Sequence, residues 1–283
     1  MDYLMANGSC LCGKITFKIG GDLSDMTHCH CSICRKIHGS QFATYMTASE
    51  CEYTSGAEYV QTYLSSAGFE RAFCKECGSV LPESNEDGKH YIPAGMLDDD
   101  PGVRPEAHIF TESKAAGYTI HDDLPQMIHY GDGDLTRVVD VAEPEKSDGV
   151  VKGGCCCGDV AFEYSEAPKF MMNCHCTRCR KVKGAAHATN AFVPVDNFSW
   201  TKGEGKTVNF NLPEAERFGN DFCANCGSSV PRESSGSGML NVPVGSLDSD
   251  PGITAKGHIF IDSKAPWFDV VDDLPQWDEM PTK

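Results

Sequence analysis

The feature that most constrains this chain is an internal duplication marked by cysteines. The segment Cys29-His-Cys-Ser-Ile-Cys-Arg-Lys36 recurs 145 residues later as Cys174-His-Cys-Thr-Arg-Cys-Arg-Lys181. The segment Phe73-Cys-Lys-Glu-Cys-Gly-Ser79 recurs at an offset of 149 as Phe222-Cys-Ala-Asn-Cys-Gly-Ser228. A period near 150 is far longer than that of solenoid repeats, so each copy is expected to fold around its own core.

The duplication predicts two domains, residues 1–127 and 150–283, joined by a linker over residues 128–149. The linker contains Gly131-Asp-Gly-Asp134 and an acidic, proline-containing run, which is typical of an exposed connection. Because each copy holds a complete set of repeated cysteines, we expect the two domains to be separable near this linker.

Short strands dominate the sequence pattern inside each copy. Ile15, Phe17 and Ile19 alternate with polar residues, and the same alternation recurs over residues 160–164. Such a period of two predicts half-buried strands. Other apolar runs are short and lie between Gly, Pro, Asn and Asp clusters, without long helical patterns. The sequence therefore predicts a mainly β fold in each of the two tandem domains.

Two Cys-x-x-Cys-Gly segments, at residues 74–78 and 223–227, have the spacing of a zinc knuckle. A knuckle supplies only half of a tetrahedral site. The Cys-x-Cys pairs near the start of each copy are the natural complement, because alternate residues of an extended strand share one face. The predicted four-cysteine sites are Cys10, Cys12, Cys74 and Cys77 in the first copy, and Cys155, Cys157, Cys223 and Cys226 in the second.

Four thiolates leave no open position on zinc, so we interpret these sites as structural, with a contribution on the order of 10 kcal/mol or more to folding. Sixteen cysteines in a chain expected to stay in a reducing compartment favour metal ligation. Disulfides, inert buried cysteines and iron–sulfur ligation are the alternatives. Cys51 and Cys156 have no counterpart in the other copy and are not predicted to be ligands.

A second cysteine group in each copy offers three thiolates from one short segment. Three protein ligands and a vacancy describe a catalytic zinc site, so two Zn²⁺ ions per domain are expected. The alternative is a second structural ion completed by another ligand, such as His30 or His175. As intervening residues, these histidines are expected to point away and to lie behind the ligands or at the surface. The predicted groups are Cys29, Cys31 and Cys34, and Cys174, Cys176 and Cys179.

Other charged or titratable residues are also repeated. Arg35-Lys36 and Arg180-Lys181 follow the third cysteine, where they are expected to offset thiolate charge; holding a substrate carboxylate is the alternative. His108 and His258 each begin a His-Ile-Phe run. We interpret these two as structural histidines rather than catalytic bases.

The balance of charge and apolar residues excludes some partners. A formal net charge of −17 opposes non-specific binding to nucleic acid, which needs clustered basic residues. The sequence shows neither a basic leader followed by an apolar run nor an apolar stretch of membrane-spanning length. We therefore expect a cytoplasmic protein with no nucleic-acid or membrane partner.

The three cysteine motifs, in this order and present twice, resemble the glutathione-dependent formaldehyde-activating enzyme and centromere protein V family. The resemblance implies a tent-like arrangement of antiparallel sheets, with a closed zinc at each four-cysteine site and an open zinc at each three-cysteine site. The family's Gly-x-x-Phe is kept at Gly39 and Phe42, but the second copy has His187 at the latter position. Its Pro-Trp survives only as Pro266-Trp267.

Two functions follow from these sites. As an enzyme, the chain would use the vacancy at the three-cysteine zinc to bind a small thiol adduct, as a carbon–sulfur lyase with glutathione and an aldehyde as first candidate. Zinc deprotonates a coordinated thiol, whereas three thiolate ligands weaken its ability to acidify water, so hydrolysis is less favoured. The alternative is a non-catalytic, zinc-stabilised protein-binding module. No catalytic group beyond the metal ligands is assigned.

Overall fold

The computed structural model describes residues 5–84, 88–129, 149–234 and 236–281. Most of the predicted linker lies outside these described residues. Short strands dominate the described chain, which confirms the mainly β fold. No helix within these ranges is long and apolar enough to cross a membrane.

The first copy contains one short helix, α1 (Ser32–His38), among its strands. The strands are β1 (Ala6–Ser9), β2 (Thr16–Cys29), β3 (Ala43–Ser55), β4 (Val60–Ser66), β5 (Phe69–Cys74), β6 (Val80–Leu81), β7 (Glu83–Ser84), β8 (His90–Pro93) and β9 (Ala107–Ile109).

The second copy likewise contains one short helix, α2 (Thr177–Lys183). Its strands are β10 (Val150–Gly154), β11 (Ala161–Ser165), β12 (Phe170–Cys174), β13 (Ala188–Pro194), β14 (Phe198–Lys202), β15 (Thr207–Asn211), β16 (Gly219–Cys223), β17 (Arg232–Ser234), β18 (Met239–Pro243), β19 (His258–Ile259) and β20 (Gln276–Trp277).

The predicted alternation places apolar side chains inside. Phe17 and Ile19 of β2 are each 1% exposed, whereas Lys18 between them is exposed. Phe162 and Tyr164 of β11 are buried in the same way. Both strands therefore present one face to the core, as a period of two requires.

Several small sheets build the two copies. The first copy has the order β1-β2-β3-β8-β7, with β9 on β2, and a separate sheet β4-β5-β6. The second copy has β10-β11-β14, β17-β18-β13-β12-β19-β20 and the pair β15-β16. Most pairs are antiparallel as expected, although β20 pairs with β19 in parallel. In addition, β9 on β2 and β19 on β12 are parallel. These parallel pairs bring the His-Ile-Phe segments beside the three-cysteine segments.

The two copies pack against each other through reciprocal contacts. Lys36 Nζ of the first copy lies 2.8 Å from an oxygen of Asp248 in the second. Lys181 pairs in the same way with Asp98. Helix α1 contacts the 3₁₀ turn Val244–Ser246 of the second copy, and α2 contacts the matching turn of the first. Matching elements of the two copies therefore make reciprocal contacts, as in an interface with approximate two-fold symmetry.

The hydrophobic core is continuous across the interface. Trp267 of the second copy is 2% exposed and belongs to the buried cluster that contains Phe17 and Met46 of the first. Phe73 and Phe222, one from each copy, have ring centroids 6.3 Å apart. Separation of the copies would expose these apolar side chains to water. The structure therefore argues against the expected separability near the linker.

Candidate metal centres and adjoining pockets

The structure brings together the cysteines of each predicted four-cysteine site. Cys10 and Cys12 lie in the turn after β1, Cys74 ends β5, and Cys77 lies in the following turn. All the sulfur atoms of a group lie within 4.8 Å of one another, so each group could hold a metal ion. The groups are Cys10, Cys12, Cys74 and Cys77, and Cys155, Cys157, Cys223 and Cys226.

The sulfur separations fit a shared metal ion better than disulfides. The Sγ atoms of Cys10 and Cys12 are 3.4 Å apart, and those of Cys12 and Cys74 are 3.9 Å apart. In the second copy, the Sγ atoms of Cys157 and Cys223 are 3.7 Å apart. Tetrahedral zinc with Zn–S bonds of about 2.3 Å separates its sulfurs by about 3.8 Å. A disulfide requires about 2.05 Å.

Hydrogen-bond donors around the four-cysteine groups suit anionic sulfur. The Ile15 N–H donates to Cys10 Sγ over 3.3 Å. Ser79 Oγ lies 3.3 Å from Cys77 Sγ and also accepts the Leu11 N–H over 3.0 Å, which accounts for the serine after the knuckle glycine. Such outer contacts orient metal ligands. The second copy repeats them with Val160, Cys155, Ser228, Cys226 and Cys156.

The three-cysteine groups also converge. Cys29 ends β2, Cys31 is the N-cap of α1, and Cys34 lies in the first turn of that helix. Their sulfur atoms lie within 4.8 Å of one another, as do those of the second group. The second group is Cys174, Cys176 and Cys179.

The capping cysteine is the most readily ionised of each three-cysteine group. Hydrogen bonds from Cys29 and Cys34 lower the pKa of Cys31. The Cys34 N–H donates to Cys31 Sγ over 3.3 Å and acts in the same direction. The pKa of Cys176 is lowered by the matching contacts of the second copy. The chain therefore stabilises a thiolate at both helix caps.

The histidine inside each Cys-His-Cys segment starts a buried hydrogen-bonded chain. His30 Nε2 lies 2.8 Å from His108 Nδ1, and His108 Nε2 lies 3.0 Å from both carboxylate oxygens of Asp122. The Asp122 carboxylate accepts from His108 Nε2–H, and His108 Nδ1 and His30 Nε2 share the next hydrogen bond of the chain. His175, His258 and Asp272 repeat the chain.

These contacts refine the prediction for the histidines. His30 and His175 are 0% exposed, so neither lies at the surface. Among the described residues, neither belongs to a group able to hold a metal ion. The carboxylate partners were missed in the sequence, although Asp122-Asp-Leu-Pro-Gln126 recurs as Asp272-Asp-Leu-Pro-Gln276 at an offset of 150.

The Arg-Lys pairs after each third cysteine bind backbone and the opposite copy. Arg35 Nε donates to the Ser113 carbonyl over 3.0 Å, and Arg180 Nε donates likewise to Ser263. The lysines form the inter-copy ion pairs described above. None of these four side chains lines the cavities beside the three-cysteine groups. Their geometry does not support the alternative of holding a substrate carboxylate there.

Each three-cysteine group adjoins a cavity, of about 370 Å³ in the first copy and about 440 Å³ in the second. Phe110 and Phe260 occupy matching positions in the cavity walls. Their φ angles are +56° and +57°, in the left-handed region that bulky residues rarely adopt. Strained backbone of this kind clusters at functional sites. Its recurrence beside both cysteine groups marks the cavities as candidate sites.

The first cavity is largely apolar and contains one buried ion pair. Tyr45, Tyr91 and Phe69 are among its lining residues. Arg71 Nη1 donates to Glu83 over 2.5 Å, while Nη2 points to a cysteine sulfur 3.9 Å away. Burial raises the pKa of Glu83 to about 7, which the Arg71 charge opposes.

The second cavity is lined by more charged groups. Arg232 pairs with Asp221 over 2.6 Å, and Arg178 lies over the ring of Phe218. Lys183 is only 5% exposed, and burial lowers its pKa to about 8. Within the described ranges, its Nζ has neither a hydrogen-bond acceptor nor an ion-pair partner. This ammonium group therefore lines the cavity without a hydrogen-bonded or ion-paired counter-charge, although Cys179 and Asp221 act on it over a longer distance.

Residues 5–113 and 150–263 match the glutathione-dependent formaldehyde-activating enzyme family. The two matches cover both copies and include every cysteine of the four groups. The chain therefore belongs to this family.

Individual relatives match one part of the chain at a time. An uncharacterized lyase of Schizosaccharomyces pombe is 30% identical over 113 residues, which are 39% of this chain and 82% of that protein. A putative glutathione-dependent formaldehyde-activating enzyme of Halomonas elongata is 32% identical over 87 residues, 28% of this chain and 55% of its own length. A Rhodobacter sphaeroides crystal structure aligns with 35% of this chain and 91% of its own, at 24% identity and a TM-score of 0.27, too low to carry an argument.

Proposed function

We propose that this chain is a zinc-dependent carbon–sulfur lyase that acts on a small thiol adduct at its three-cysteine groups. The observation that carries the proposal is the position of those groups: three sulfurs from one short segment adjoin a cavity in each copy. In this proposal, each of the two domains, residues 1–127 and 150–283, holds two Zn²⁺ ions.

The two kinds of cysteine group take different roles. Each four-cysteine group would fill all four positions of a tetrahedral zinc and stabilise the fold. Each three-cysteine group would leave one position for substrate sulfur or oxygen. Zinc bound there would supply Lewis acidity that favours the thiolate form of a thiol.

The proposed reaction needs no oxidant or reductant. In the cleavage direction, the carbon–sulfur bond of a hydroxymethyl thioether breaks and its hydroxyl oxygen becomes the carbonyl oxygen of the aldehyde. The hydroxyl proton is released, and the departing sulfur takes up a proton to become the thiol. In the first copy Arg71 lines the cavity beside the sulfurs, and in the second Lys183 does so. These donors would orient the adduct and hold the proton-bearing oxygen or sulfur.

Glutathione with formaldehyde is the first substrate pair to test. The names of the two relatives support this choice: one is named as a lyase and the other as a putative glutathione-dependent formaldehyde-activating enzyme. The expected result is that the zinc-loaded chain accelerates exchange between free formaldehyde and its glutathione adduct, followed by NMR with ¹³C-labelled formaldehyde.

Variants connect that rate to the three-cysteine groups. Cys31→Ser combined with Cys176→Ser should reduce the exchange rate to that without protein. Cys51→Ser is the matched control, because Cys51 belongs to none of the four metal-capable groups of the described chain. An exchange rate unaffected by the wild-type protein would favour the alternative of a non-catalytic protein-binding module for this substrate pair.

A further inference from the structure

The two cavities beside the three-cysteine groups have the same framework but different linings. Tyr45 and Asn190 occupy matching positions, since each pairs with the proline that ends the neighbouring strand. Tyr91 and Asn241 match in the same way, 150 residues apart on β8 and β18. Both exchanges replace an aromatic ring of the first cavity with a carboxamide in the second. The second cavity is therefore better suited to polar groups.

A third exchange lies at the helix that carries the last cysteine. Ile33 of α1 lines the first cavity, and Arg178 of α2 takes its position in the second. His38, the last residue of α1, is replaced by Lys183 at the end of α2. Burial lowers the pKa of His38 to about 3, so this imidazole is neutral. Each exchange therefore adds a positive charge to the second copy.

These charges are not cancelled within the second cavity. Asp221 is paired with Arg232, and the exposed Glu216 and Arg217 add one charge of each sign. Lys183 keeps a buried ammonium group without a described partner, and a buried charge favours an ion of opposite sign. The complementary ligand group is an anion, such as a carboxylate of a thiol peptide.

The first cavity offers no comparable positive charge. Its buried Arg71 is already paired with Glu83 over 2.5 Å. Ile33, Met46 and Phe110 line much of the rest of the wall, together with the two tyrosine rings described above. The remaining polar lining residues are hydroxyl side chains and the acidic Asp25, which add no positive charge. An additional carboxylate would lose its hydration there without gaining an unpaired cation. An apolar or aromatic group would instead gain contact area with these side chains.

We propose that the two copies bind different thiol adducts: the second an anionic one held by Lys183, and the first an uncharged one with an apolar or aromatic group. This division of specificity rests on the proposed function, because it takes the cysteine-lined cavities as substrate sites. The two copies of the duplicated domain would therefore bind two different classes of substrate on one chain, rather than the same substrate at two equivalent sites.

The test uses two thioethers that have no free thiol and therefore bind without the proposed reaction. Isothermal titration calorimetry of the zinc-loaded full chain with S-methylglutathione and with benzyl methyl sulfide should give one site per chain for each probe. Lys183→Met should weaken S-methylglutathione binding by about tenfold or more, the loss of one charge-assisted contact, and leave benzyl methyl sulfide within about twofold. Ile33→Arg, in the first cavity, should weaken benzyl methyl sulfide binding by about tenfold or more and leave S-methylglutathione binding within about twofold.

Lys169→Met is the matched control, because Lys169 is exposed in the second copy and lies outside its cavity. It should leave both affinities unchanged. Lys183→Arg, which keeps the charge, should retain S-methylglutathione binding if it melts like the wild type. The proposal is overturned if folded Lys183→Met binds S-methylglutathione as the wild type does, or if each cavity variant weakens both probes equally. Failure of the formaldehyde exchange assay would reject the lyase reaction while leaving these binding results intact.

Discussion

The four-cysteine and three-cysteine groups use the same ligand atom but differ in the chain segments that supply it. In the first copy, Cys12 and Cys74 of one four-cysteine group are 62 residues apart in sequence. The three-cysteine group of that copy comes entirely from residues 29–34. A metal that joins distant segments closes a long loop and stabilises the fold, whereas one held by a single segment closes almost none.

Burial does not distinguish the two kinds of group, but their surroundings do. Cys74 is 0% exposed and Cys34 is 4% exposed, so both sulfurs are shielded from bulk water. Only the three-cysteine groups line the large cavities beside the helices. The comparison therefore predicts that stability and activity can be changed independently.

The largest expected effect follows from removing a knuckle cysteine. Cys77→Ser or Cys226→Ser should cost a large share of the roughly 10 kcal/mol or more that a structural zinc contributes, because each breaks a closed site. Because the two copies share a continuous core, we expect the unfolding transition of the whole chain to shift to a much lower temperature or to disappear, measured by calorimetry. One bound zinc should be lost as well, measured by elemental analysis. Wild-type melting, or iron in place of zinc, would contradict the structural assignment.

A smaller loss of stability should accompany the three-cysteine variants. Cys31→Ser and Cys176→Ser should each lower the free energy of unfolding by about 0.5–3 kcal/mol, the range of an ordinary substitution. The loss is small because a metal ion held within one short segment links no distant parts of the chain. Each should also lower the zinc content by one ion per chain while abolishing the turnover of its copy. Melting as early as that of the knuckle variants would erase the proposed distinction between the two groups.

The cysteine framework could be predicted from the sequence because its spacing is local and its pattern repeats. The knuckle at residues 74–78 predicts two ligands within one turn, and the matching segment near residue 223 repeats the same pair. The short strands also followed from alternation. His30 and His108 are repeated as well, but their mutual contact depends on the parallel pairing of β9 with β2, which no local pattern indicated.

The interface and the pocket linings were beyond such a prediction for a physical reason. Lys36 and Asp248 meet only because the two copies face each other, and neither residue's own sequence context indicates the distant partner. Trp267 packs into the core of the opposite copy rather than its own. Lys183 has a histidine at the matching position, so comparison of the repeats did not mark it. The contacts between the two copies, and the functional meaning of the residues that differ between them, could be recognised only from the structure.

The inter-copy contact of His38 allows a test of how acid affects the three-cysteine groups. This histidine ends α1, the helix that carries Cys34, and its Nδ1–H donates to the Lys183 carbonyl over 2.5 Å. Its Nε2 accepts from the Tyr45 hydroxyl over 2.8 Å. Burial lowers the pKa of His38 to about 3, whereas an unfolded histidine titrates near pH 6.5. The unfolded chain therefore binds more protons between these values, and stability falls as the pH drops below about 6.5.

The smallest expected effect is consequently a change in pH dependence. His38→Asn removes the buried imidazole, so its loss of stability between pH 7 and pH 5 should be smaller than that of the wild type by about 2 kcal/mol. Denaturant unfolding of both proteins at the two pH values measures this difference. Because both proteins have the same cysteines, the contribution of the cysteines to the pH dependence of stability cancels in the comparison. Tyr45→Phe is the control, because it removes the hydroxyl that donates to His38 but keeps the imidazole, and it should retain the wild-type acid sensitivity. Equal acid sensitivity in His38→Asn and wild type would show that the helix of the first three-cysteine group is not held by a neutral histidine, and acid lability would then have to be sought in the cysteines themselves.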